Sequence, residues 1–147
     1  MKKILTAVFL GIVLAAGLAA CSSGAKADYE SPKALIEANE AINTDHQNNS
    51  IYRDLEGKTF RITADITLDK SEIVGDVETA KEKNEDIWVR PYSDIGIDVF
   101  VGVPYDQWED FSFKKGDVMV LKLDYISLRG SANGKIKQYY IYAHLAE

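Results

Sequence analysis

KTFRITADITL, residues 58–68, alternates with a period of two: Phe60, Ile62, Ala64, Ile66 and Leu68 are apolar, while Arg61, Thr63, Asp65 and Thr67 between them are polar. That period matches a strand with one buried face, because successive side chains on a strand point to opposite sides. One further segment carries the same signal. Ile95, Ile97, Val99, Val101 and Val103 alternate with Gly96, Asp98, Phe100 and Gly102 until Pro104 ends the run. Val118–Leu128 is a long apolar-rich strand entered through Lys114, Lys115, Gly116 and Asp117. Its expected partner is Lys135–Leu145, across a turn containing Gly130, Ser131, Asn133 and Gly134. A short strand over Asp86–Arg90, stopped by Pro91, completes five.

The chain ahead of residue 58 reads differently. Ser31 is a good N-cap, Pro32 suits the first helical position, and Leu35, Ala38 and Ile42 recur at helical spacing, which predicts a helix over 31–43. Asn43–Ser50 then breaks the pattern, and Asn48, Asn49 and Ser50 favour turns. Asp69–Glu85 is acidic and mixed, with Gly75 as a breaker, and reads as a long loop. One helix and five short strands predict a mainly β domain, a small five-stranded barrel that hides its sheet edges by closing.

The first 21 residues carry a separate message. Lys2 and Lys3 precede an apolar run from Ile4 to Leu18, and Leu18-Ala19-Ala20-Cys21 ends it at the only cysteine of the chain. The pattern is that of a secretory signal, shorter than the ~20 apolar residues a membrane span requires. It resembles the lipobox of bacterial lipoproteins. That resemblance implies cleavage before Cys21, lipidation of its sulfur and new amino terminus, and an extracytoplasmic address anchored to the cell membrane. Residues 1–20 are then the signal peptide, 21–30 a flexible tether, and 31–147 the helix and barrel domain. Without Lys2 and Lys3 the mature part holds 15 basic and 23 acidic side chains, a net charge of −8 (15 − 23). Such a surface repels phosphate backbones, so no nucleic acid is expected as partner.

Leu55, Glu56, Gly57, Lys58 and Thr59–Ile66, with Phe113–Leu121 and its Lys115-Gly116-Asp117 entry, resemble small lipoproteins that carry an OB-fold domain of the tRNA_anti-like type. The chain departs from that pattern in having Ala64 and Asp65 where Thr-Gly is common. OB-folds take ligands on the face of their second and third strands. Trp88 and Phe100 fall on the outer side of the two corresponding strands, next to Arg90, and form the candidate ligand platform. The competing expectation is that the helix or the 104–113 segment covers those rings, since large aromatics seldom stay exposed without cover. Tyr105, Trp108 and Phe111 are expected to plug one barrel end.

Catalytic and metal-binding readings find less support. His46 and His144 have no Cys or His companion at ligand spacing, so no metal or cofactor is expected. The acidic run Asp65, Asp69, Glu72, Asp76 and Glu78 lacks the calcium-loop spacing, with Gly75 seventh from Asp69 rather than sixth. No G-x-S-x-G elbow appears. The expectation is a non-enzymatic, membrane-tethered module binding an envelope protein, peptide or glycan. The alternatives are a staphylococcal-nuclease-like or other hydrolytic enzyme on the same barrel, or a structural or envelope-stress lipoprotein.

Overall fold

The computed structural model describes residues 26–39, 42, 49–69, 72–130 and 137–146. The leader, Cys21, His46, Lys135 and the turn residues Ser131, Asn133 and Gly134 lie outside the described residues. In chain order the elements are α1 (Pro32–Glu37), β1 (Asn49–Tyr52), β2 (Thr59–Thr63), β3 (Ile73–Val74), α2 (Val77–Lys83), β4 (Ile87–Asp94), β5 (Ile97–Val103), β6 (Val118–Gly130) and β7 (Lys137–Leu145).

The fold is mainly β, as the alternation predicts, but it has seven strands in one mixed sheet rather than five. The ladder runs β1–β6–β7–β5–β4–β3 and does not close on itself. β2 also pairs with β6, over Val118–Lys122, while β1 takes Ile126–Arg129 on the same strand. The expected hairpin of the last two strands is present, β6 and β7 being antiparallel, whereas β5 and β7 run parallel. At the end of β2 the Asp65 N–H donates to the Pro91 carbonyl of β4 at 3.1 Å, and the Asp65 carboxylate accepts from the Ser93 N–H at 2.9 Å. The residue that departs from the Thr-Gly pattern thus links β2 to β4.

Several boundaries differ from the sequence reading. Pro91 does not stop β4. The register passes from Val89 opposite Val101 to Tyr92 opposite Val99, so Arg90 and Pro91 together face Phe100 in a bulge, where a residue without an N–H is tolerated. Ile95 lies in the turn before β5, fully exposed, and Gly96 takes φ +76° there. Asn49 and Ser50 extend into β1 rather than turning, because β6 offers them a free edge. The 69–85 segment contains β3 and α2, whose start is capped by the Asp76 carboxylate on the Thr79 N–H (2.7 Å) and whose end turns at Asn84 with φ 56°. α2 buries no residue, and so left no apolar period in the sequence. Ser31 caps α1 as expected, but the described helix ends at Glu37. Ahead of it, Tyr29 bridges β2 in parallel, donating to the Thr59 carbonyl and accepting from the Arg61 N–H, so the residues just before α1 lie docked along β2.

The core is built from the inner positions of the strands. Phe60, Ile62, Val89, Val99, Val101, Met119, Leu121, Leu123, Ile126, Leu128, Ile141 and Ala143 are buried. Leu35 and Ile36 of α1 join them, and α1 packs against both β2 and β5, strands that are not neighbours in the ladder. The sheet must therefore curl to bring both to one helix. Of the expected plug, Phe111 is buried beside Phe113, Trp108 packs half-buried against Phe111 at 6.4 Å between ring centroids, and Tyr105 remains exposed.

Phe60 has no exposed surface and sits at the centre of this arrangement. Phe60→Ala is expected to cost about 3–5 kcal/mol, a large part of a domain's usual stability, read as a lower urea midpoint at unchanged slope.

Candidate functional site

The outer positions of four adjacent strands converge on one face. On β4 the alternation buries Ile87 and Val89 and leaves Trp88 half-exposed; on β5 it does the same for Phe100 between Val99 and Val101. On β7, Tyr140, Tyr142 and His144 share the outer parity against Tyr139, Ile141 and Ala143. On β6 the parity switches. Leu123 faces Ala143 and Tyr125 faces Tyr142, so Asp124 is an extra residue, and beyond it Tyr125 turns outward while Ile126 turns in.

The rings then stack across the strands. Phe100 lies on Tyr142 at 5.1 Å and 22°, and Tyr142 on Tyr125 at 4.6 Å and 16°. Tyr140 stacks on Phe100 at 6.1 Å, and Trp88 meets Tyr142 edge-on at 5.5 Å. Such contacts contribute about 0.5–1.5 kcal/mol each beyond burial. Two arginines end the stack: Arg53 lies over Tyr125 at 4.9 Å and Arg129 over Tyr140 at 5.8 Å. Burial, followed by the neighbouring Tyr125, pushes the Tyr142 phenol above its ordinary pKa. Side chains on a sheet stand roughly perpendicular to it, so stacked rings present their edges and hydroxyls outward rather than their faces.

Trp88 and Phe100 share the outer face, where both pack against Tyr142 and stay half-exposed, while Leu35 and Ile36 of α1 and Phe111 join the core. Arg90 turns instead to Glu72, 3.3 Å away at the β3 side, and the cations on the rings are Arg53 and Arg129. The acids of the 65–78 run are dispersed in structural contacts: Asp65 on Ser93, Glu72 on Arg90, Asp76 on Thr79. Among the described residues no group of three or more His, Cys, Asp or Glu is arranged to hold a metal ion.

At one margin of the face His144 is held between two carboxylates. Its Nδ1 is 2.6 Å from Asp124 Oδ2 and its Nε2 2.7 Å from Asp86 Oδ2. With a carboxylate at each ring nitrogen, the arrangement favours the protonated ring, in which both nitrogens donate. Burial alone would lower its pKa; the bond to Asp86 and the charge of Asp124 outweigh burial and raise it above the ordinary value. The bulge makes this contact, since Asp124 is the residue it adds. Gly102 makes room for it, lying opposite both Trp88 and His144. A Cβ there would stand 2.6 Å from His144 Nε2 and 3.0 Å from Trp88 Cη2. Beyond Trp88 and Asp86 an open cleft of about 550 Å³ runs between β3, α2 and the start of β4, lined also by Val74, Asp76, Thr79 and Ala80.

The sequence reading weighs His144 only for companions at ligand spacing and does not single out Tyr125, Arg53, Arg129, Asp86 or Asp124. The shared parity of Tyr140, Tyr142 and His144 was a usable signal. The partners of His144 lie 20 and 58 residues away and left none. Comparison with protein-family models, with curated proteins and with solved structures yields no match to this chain.

Gly102→Ala is expected to displace the His144 and Trp88 rings and cost about 1–3 kcal/mol, with changed Trp88 fluorescence as the local readout. Because the folded pKa of His144 is raised, its contribution is complete below the unfolded value near 6.5 and disappears as pH rises through the folded value. His144→Gln is therefore expected to lose about 1 kcal/mol at pH 5.5, after allowance for its partial exposure, and little at pH 9 in paired urea titrations.

Proposed function

We propose that this chain is a non-enzymatic, membrane-tethered binding module, displayed outside the cytoplasm by a lipid on Cys21, which takes a protein, peptide or glycan on the outer face of β4, β5, β7 and β6. The single observation that carries the reading is the aromatic stack on that face, half-exposed across four strands and ended by two cations. Aromatic and arginine side chains are the types most enriched where surfaces recognise partners. Both ring nitrogens of His144 are taken by carboxylates, which speaks against a general base at this position.

An OB-like barrel is the finer fold reading. It draws support from the circuit β2–β6–β7–β5–β4, with its parallel β5·β7 pair and the Asp65–Pro91 bond between the end strands, which suits a partly open five-stranded barrel with β1 and β3 as additions. In that reading β4 and β5 are the second and third barrel strands, the pair on which OB-folds take their ligands. Nucleic acid is not the ligand we propose, since the mature charge of −8 (15 − 23) opposes a polyphosphate.

The anchor is tested by mass spectrometry of the membrane fraction, where an acylated amino-terminal Cys21 is expected and a soluble, unlipidated mature chain would overturn it. The face is tested by capture from envelope extract and on glycan arrays. Phe100→Ser with Tyr142→Ser, confirmed folded by its melting curve, is expected to reduce capture at least tenfold. Undiminished capture by that folded variant would refute the site.

A further inference from the structure

The chain has four arginines among 23 acidic side chains. Arg61 pairs with Glu30 at 3.0 Å and Arg90 with Glu72 at 3.3 Å. Arg53 and Arg129, the two on the aromatic face, are exposed, and their side chains make no ion pair or hydrogen bond among the described residues. Among the described residues, these two guanidiniums have only a ring beneath them.

Stacking uses the flat side of a guanidinium. The five N–H donors lie in its plane, where a carboxylate can meet two of them at once. The ring also fixes the plane's orientation, which removes part of the entropy lost when a long side chain binds. Arg53 is set by Tyr125, and Arg129 by Tyr140, whose row on β7 is two residues from that of Tyr142. With ~3.3 Å of rise per strand residue, the two forks stand roughly 7–13 Å apart. Between them lie the phenols of Tyr125, Tyr140 and Tyr142, whose hydroxyls make no hydrogen bond among the described residues.

We propose that Arg53 and Arg129 clamp the carboxylates of an acidic oligosaccharide lying across β6 and β7; this rests on the face being the binding site proposed above. Two arguments choose this chemistry. The backbone donors and acceptors of β6 and β7 are spent on the sheet ladders, so a ligand on this face meets side chains only: ring edges, hydroxyls and two forks. A hydroxyl-rich ligand bearing carboxylates matches that set, whereas an extended peptide needs free backbone partners at a sheet edge. The second is local charge: at physiological salt fields fade over ~8 Å, so each fork attracts a nearby carboxylate although the chain as a whole is acidic.

The test is calorimetric titration of the detergent-solubilised, full lipidated chain with tetragalacturonic acid, its methyl ester and a hexaglutamate peptide. The acid is expected to bind, the ester and the peptide at least tenfold more weakly, and Arg53→Gln or Arg129→Gln to weaken the acid at least tenfold at unchanged melting temperature. Equal binding of ester and acid, equal binding of the peptide, or no binding of any probe overturns the clamp. The two levels of the reading separate on one further variant. If the ester binds as tightly as the acid and Tyr142→Ser alone abolishes both, the face stands and the clamp falls; binding indifferent to Tyr142 and to both arginines removes the face as well.

Discussion

One extra residue in β6 shapes most of what this protein presents to its surroundings. At Asp124 the strand takes a residue that β7 does not match, and the burial alternation changes phase: Met119, Leu121 and Leu123 face inward before it, Ile126 and Leu128 after it. A bulge of this kind bends a strand and raises its twist. The first half of β6 pairs with β2 and the second with β1, on the same edge. The phase change also turns Tyr125 onto the outer face, where it completes the stack with Tyr142 and Phe100, and delivers the Asp124 carboxylate to His144.

The outer face is in turn a negotiation between volume and charge. Gly102 has no side chain where Trp88 and His144 need the space, and the bulge at Arg90–Pro91 lets β4 carry a proline without losing its place beside β5. Rings that would each be poorly hydrated alone cover one another instead of calling on α1, which is occupied inside the curl between β2 and β5. The charged groups sort by position. Carboxylates flank His144 at one margin, and the guanidiniums of Arg53 and Arg129 lie on the rings nearer β1. The same face therefore has an anionic and a cationic end.

Much of the architecture was legible before any coordinates. The inward residues of β2 and β5 follow their period of two without exception, because their inner positions are buried from Phe60 to Ile62 and from Ile97 to Val103. Elements were missed where burial left no mark: α2, which buries nothing, and β1, whose Asn-Ser start is ordinary turn composition. Trp88 and Phe100 were legible as neighbours on the outside, since parity alone puts them there. For Arg90 parity gives a side of the sheet and not a direction within it, and the pairing with Glu72 toward β3 is visible only in the fold.

By itself, then, the sequence determined the mainly β class, the inner face of the principal strands and the acidic balance, because period and charge are properties of the chain read locally. Tertiary structure alone decided which rings stack, which arginines lie on them and what holds His144. Those contacts join residues tens of positions apart, and their geometry depends on the parallel β5·β7 pairing and on a phase shift at Asp124 that only the packed sheet makes definite.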